Sequence, residues 1–152
     1  MSRDLISRME RILVLIDGSD VSFKAAAYAL TIAKLKNAKV ICIHVIGPAP
    51  YLTKHGIVIA FRSSYYEGAK SQAKEWLMKI KEIAIEDNVD VELEVLIDVK
   101  SISKAILDYA KGRDIDLIVM GSRGRTGFKR LLLGSVASTV VAYASCPVLV
   151  MK

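Results

Sequence analysis

Three glycines at fixed intervals carry the most specific chemistry in this 152-residue chain: Gly121-Ser122-Arg123-Gly124, then nine residues, then Gly134-Ser135. Phosphate groups are held by backbone amides that approach them closely, and glycine permits both that approach and unusual dihedrals. An apolar run precedes the first glycine and a helix-like stretch follows the last. The free amides and positive dipole end of a helix opening near Ser135 would receive an anion, and the Ser135 hydroxyl adds a donor. The spacing is not that of a P-loop, because no Gly-Lys-Ser or Gly-Lys-Thr occurs, and the dinucleotide fingerprint Gly-x-Gly-x-x-Gly is also absent. Arg123, Arg125, Lys129 and Arg130 make the same stretch basic.

The same residues have plainer uses. Asp17 can help cap the helix that follows it, and Gly134-Ser135 can open a helix without any ligand. The basic cluster can be a solvated face, or a patch for RNA or anionic lipid. Nucleic acid is not expected, because aromatics are only 7% of the chain and Phe128 alone stands among the basic residues, too little for a stacking platform. His44 lies inside an apolar run and His55 stands alone, so no metal site of protein ligands is expected.

The elements that must hold these residues follow from periodicity. Residues 11–16 (RILVLI) and 39–46 (KVICIHVI) are apolar runs too short for helices, and read as strands buried on both faces. Asp17-Gly18-Ser19-Asp20 turns into a helix over 23–36, closed by Asn37-Ala38. Residues 47–61 contain Pro48, Pro50 and Gly56 and read as a loop. Ser64-Tyr65-Tyr66-Glu67 has the spacing of a capping box, which predicts a helix start there and an amphipathic helix to about residue 86. Residues 89–99 alternate, with a polar face carrying Glu92 and Glu94, and this predicts a strand near a sheet edge. A helix over 101–112 with Gly112 as its stop, a strand over 115–120, a loop over 121–133, a helix to 144 and a strand over 147–151 complete the order. Strands joined by helices imply a parallel sheet covered on both faces, because crossovers are right-handed. Ligands then bind beyond the strands' carboxyl ends, where Asp17, Val45 and the Gly121 loop fall.

Composition sets the class. Residues 1–152 suit a single domain with one sizeable core, residues 1–10 preceding the first strand as an extension. The net charge of +6 favours an anionic partner without choosing it. Cys42 and Cys146 cannot build a disulfide framework and read as buried thiols. Residues 1–10 mix charges without an apolar leader, and the uncharged stretch 131–151 is broken by Gly134, several Ser and Pro147. No membrane anchor is expected, and the location expected is cytoplasmic.

At these residues the chain resembles the universal stress protein family. The run 119–127 (VMGSRGRTG) through 132–136 (LLGSV) looks like that family's nucleotide motif, Gly-x2-Gly-x9-Gly-Ser/Thr, and residues 12–19, His44-Val45 and 146–150 match the same pattern. The resemblance implies an α/β, Rossmann-like fold: an open five-stranded parallel sheet in the order 3-2-1-4-5 with helices on both faces. It also implies ATP between strands 1 and 4. Leu15, Asp17 and Val45 would hold adenine and ribose, Val45 through its backbone; Met120 and Gly121 would lie beside the ribose; Gly124, Gly134, Ser135 and Val136 would face the phosphates. Charge adds Arg123 or Arg125 near the triphosphate, and Mg²⁺ would ride on the phosphates. The family pairs its last strands across a two-fold axis, so a homodimer through Val148, Leu149 and Val150 is expected; unpaired, they would be an exposed apolar edge.

The implied role is a nucleotide-dependent switch or scaffold in stress response. An ATP hydrolase or phosphoryl- or adenylyl-transfer enzyme is the alternative. Catalysis needs a positioned base and a stabiliser of developing charge, and Asp17, the one carboxylate near the ligand, belongs to the nucleoside end. Hydrolysis would therefore be slow. An interaction module that uses the dimer and basic surface without nucleotide is the third reading. The chain departs from the family pattern in its first ten residues, in 47–61, and at Val99-Lys100-Ser101, where a Gly-x-Pro turn is usual.

Overall fold

The computed structural model describes residues 8–49, 58–97, 99–124 and 133–152, with residues 58–61 described through their backbone alone. Apolar runs with no polar alternation form β1 (Arg11–Leu15), β2 (Lys39–Val45) and β4 (Leu117–Gly121). The remaining elements are α1 (Asp20–Lys36), α2 (Val58–Glu86), β3 (Val91–Leu96), α3 (Ile102–Gly112), α4 (Ser135–Tyr143) and β5 (Val148–Met151). All strands are parallel and make one sheet in the order β3-β2-β1-β4-β5. This is the expected architecture. The strand order reverses at β1, which has β2 on one side and β4 on the other, so a crevice opens beyond its carboxyl end.

Alternate residues of the central strands face opposite helix layers. Ile12, Val14, Val40, Cys42, Leu117 and Val119 pack with Ala25, Ala29 and Leu30 of α1 and with Leu77 and Ile80 of α2. Leu13, Ile41, Ile43, Ile118 and Met120 pack with Ile106 and Ala110 of α3 and with Ala137 and Val140 of α4. Covering both faces is what makes uninterrupted apolar strands stable in water.

The edges differ. On β3, Glu92 accepts from Lys39 Nζ at 3.0 Å and pairs with Arg113, while Glu94 accepts from the Tyr109 hydroxyl at 2.6 Å. The expected polar edge strand is there, confined to residues 91–96. On the other edge, Val148, Leu149 and Val150 are half-buried. The carbonyls of Pro147 and Met151 accept from the Ile118 and Ser122 amides at 3.0 and 2.7 Å, and among the described strands β5 neighbours β4 alone.

Several expected boundaries move. α1 begins at Asp20 rather than 23, because Ser19 caps it by accepting from the Ser22 amide. Ser64 does not open α2, which starts six residues earlier at Val58; extending a formed helix through non-breaking residues costs far less than starting one. The loop reading of 47–61 therefore ends too late. Gly112 is the last residue of α3 rather than its stop, and the left-handed turn falls on Asp114, at φ 50°. Residues 9 and 10 are less of an extension than expected: Met9 packs on the core and the Glu10 carbonyl takes the Lys39 amide at 2.8 Å. Among the described residues no helix is long and apolar enough to cross a membrane.

Candidate functional site

The first wall of the crevice is the turn from β1 into α1. Asp17 Oδ1 accepts from both the amide and the hydroxyl of Ser19, at 2.9 and 2.6 Å, and Ser19 Oγ accepts from Ser22. The capping reading of Asp17 is thus correct at one remove, since the carboxylate orients the capping serine. Its second oxygen, Oδ2, looks across to Gly124, where a β-carbon would stand 3.4 Å away. Gly18 has φ 81°, which L side chains rarely adopt.

The second wall is the turn from β4 towards α4. Ser122 is buried, its amide donates to Met151, and its carbonyl accepts from the Gly134 amide at 2.7 Å. Gly121 is closely packed, for a β-carbon would lie 3.2 Å from Val21 Cγ1, which would have to give way by a few tenths of an ångström. Gly134 is different. Its φ of −71° and ψ of 166° suit any residue, and a β-carbon would meet Arg123 Cα and Ser122 O at an ordinary 3.5 Å. Among the described residues neither the backbone nor the packing demands glycine there. Gly134 is also the N-cap of α4, and no side chain accepts the first-turn amides of that helix among the described residues. Ser135 is exposed, and its carbonyl takes the Thr139 hydroxyl at 2.9 Å.

The apolar floor comes from the α3–α4 side of the sheet. Leu15, Val45 and Val136 pack against the same cluster as Met120. Leu15 pairs with Ile43, Val45 with Leu96, and Met120 with Val150. The sequence-derived set therefore lies at the ends of β1 (Leu15, Asp17), β2 (Val45) and β4 (Met120, Gly121, Arg123, Gly124), and at the start of α4 (Gly134, Ser135, Val136). Close approach joins Asp17 to Gly124, and Gly134 to Ser122, Arg123 and Gly124. Arg123 is exposed; Arg125, Lys129 and Arg130 lie outside the described residues.

Three residues beside the site were not legible in the sequence. Ser22 is a buried polar residue whose hydroxyl donates to the Ser19 carbonyl at 2.8 Å. His44 Nδ1 bonds the Ile16 carbonyl at 2.6 Å, which makes that nitrogen the protonated one, and the His44 ring meets Trp76 edge-on. Trp76, from the middle of α2, lies on Gly18. The one available signal was Gly18 itself, a turn glycine with room for an aromatic neighbour. Among the described residues no group of His, Cys, Asp and Glu is placed to hold a metal ion.

The model of the universal stress protein family matches residues 9–152. The chain belongs to the universal stress protein family. A universal stress protein of Methanocaldococcus jannaschii is 39% identical over 146 residues, covering 94% of this chain and 82% of the relative. Among solved structures, universal stress protein UspA from Lactobacillus plantarum has a TM-score of 0.86 at 27% identity, over 95% of this chain and 99% of that one. A universal stress protein solved in complex with cAMP has a TM-score of 0.69 at 25% identity, over 94% of this chain and 97% of that one.

Proposed function

We propose that this universal stress protein binds ATP in the crevice between β1 and β4 and works as a homodimeric, nucleotide-dependent switch or scaffold. Gly134 carries the reading: it opens α4, and among the described residues neither dihedral nor packing requires a glycine there and no side chain caps the helix, which leaves space for an anion against backbone amides. The cAMP complex of a family member supports an adenine nucleotide as the ligand. Leu15, Val45 and Met120 flank the base and ribose, with Val45 acting through its backbone, and Gly121 lies beside the ribose. Asp17 Oδ2 accepts from a nucleoside donor. The amides of Gly124, Ser135 and Val136 face the phosphates, Gly134 faces them through its open Cα side because its own amide is held by Ser122, and Arg123 adds charge. Mg²⁺ enters with the phosphates rather than on a protein ligand set.

Bound ATP supplies a triphosphate charge and an anhydride bond whose loss would change what the α4 amides hold. The chain's own residues bind and orient; among the described residues none near the phosphates is placed as a general base, so hydrolysis, the alternative use of this site, would be slow. The dimer joins through β5.

Titration calorimetry of nucleotide-stripped protein with Mg-ATP, with AMP as comparison, tests the site. Tight ATP and weaker AMP binding are expected. A folded protein that takes up no ATP would overturn the reading.

A further inference from the structure

Asp17 sits between two residues that are held from outside its own turn. The Ile16 carbonyl before it accepts from His44 Nδ1 of β2 at 2.6 Å. The Gly18 backbone after it lies under the indole of Trp76, so closely that a β-carbon would stand 2.3 Å from Cε2 and 2.4 Å from Cζ2. The two rings touch each other, with centroids 5.3 Å apart and planes at 81°. An edge-to-face pair of this kind resists sliding. Gly18 is also at φ 81°, a conformation readily left for others unless its surroundings hold it.

The carboxylate itself has little freedom. Oδ1 is committed to the Ser19 amide and hydroxyl, which leaves Oδ2, on the Gly124 side, as the oxygen aimed across the crevice. An ionised carboxylate only accepts. Adenosine offers it three kinds of donor: the exocyclic amine, the 2′-hydroxyl and the 3′-hydroxyl.

We propose that Trp76 is a positioning residue for nucleoside recognition: with His44 it fixes the Asp17-Gly18 turn, so that Asp17 Oδ2 meets one particular donor of the nucleoside. This inference rests on the nucleotide reading of the crevice. It makes α2, which carries no residue of the sequence-derived set, part of what sets ligand specificity.

The test is a comparison of dissociation constants for the parent, Trp76→Phe and Trp76→Ala. The ligands are ATP, 2′-deoxyATP, 3′-deoxyATP, purine riboside triphosphate (which lacks the amine) and AMP. In the parent, one analogue loses about tenfold or more, the worth of a hydrogen bond to a charged group. In Trp76→Ala that penalty falls to within about twofold, because the acceptor is no longer held to the donor. Trp76→Phe keeps a ring on Gly18 and keeps the penalty. The ATP-to-AMP ratio stays at its parent value in all three, because the phosphates rest on α4. Far-UV circular dichroism and urea unfolding establish that each variant is folded. The inference is overturned if Trp76→Ala retains the analogue penalty, if both ratios collapse together, or if the parent binds ATP and distinguishes none of the analogues. A parent that binds no ATP removes the nucleotide reading itself.

Discussion

The amide of Gly134 donates to the carbonyl of Ser122 at 2.7 Å, and this bond closes the base of the segment between β4 and α4. Ser122 in turn is tied to Met151 at the end of β5. The start of α4 is therefore anchored to the sheet by its backbone.

Replacing Gly134 by alanine separates folding from binding. Its dihedrals and the 3.5 Å clearances predict an unfolding free energy within about 1 kcal/mol of the parent. Affinity for ATP is expected to fall about tenfold or more, as the methyl group pushes a phosphate off the amides. Urea unfolding and calorimetry on one preparation check both halves.

Gly18→Ala is expected to behave in the opposite way. The left-handed dihedral and the collision with Trp76 together cost about 2–4 kcal/mol. In a Trp76→Ala background the collision is gone and only the dihedral part, about 1–2 kcal/mol, should remain. A double-mutant cycle of urea midpoints measures the difference.

Burial raises the Cys42 thiol from 9.0 to about 12. The folded chain keeps a proton that the unfolded chain surrenders, so this contribution is whole below about pH 9 and is lost as pH rises towards 12. Cys42→Ala should cost about 1 kcal/mol at neutral pH, with the gap to the parent narrowing as the pH is taken from 8 to 11. Tyr109 is raised too, by burial first and then by its bond to Glu94, so both proteins keep some alkaline loss. Unfolding midpoints across that range give the slopes.

Val150→Pro tests the dimer. Pro147 and Met151 direct their carbonyls at β4, and in a parallel ladder the intervening alternate residues point theirs away. Proline at 150 removes an outward amide and spares the bonds to β4. Light scattering after size exclusion should show a dimer for the parent and a folded monomer for the variant.

The sheet was legible because its central strands are short apolar runs divided by helices, a pattern with one economical solution. The glycine motif stands out as a pattern for a related reason: the proposed phosphate cradle needs glycines at set intervals along one turn. What the sequence did not disclose is long-range. Trp76 lies on the α2 periodicity as an ordinary inward residue, and nothing local says that its indole comes to rest on Gly18. His44 reads as a strand residue until the Ile16 carbonyl is seen beside it. Ser64-Tyr65-Tyr66-Glu67 misled for the converse reason. A capping box is a local signal, and the residues before it continue the helix all the same.

The unlike edges of the sheet have a consequence for growth. Two chains joined at β5 as proposed would make a continuous sheet whose outermost strands are both β3, and each β3 carries Glu92 and Glu94 fastened to Lys39, Arg113 and Tyr109. Charged side chains held along an edge keep a further apolar strand from docking there. An assembly of the proposed kind would end at two copies, a closed pair with no end to extend, where two apolar edges would leave a seed for fibres.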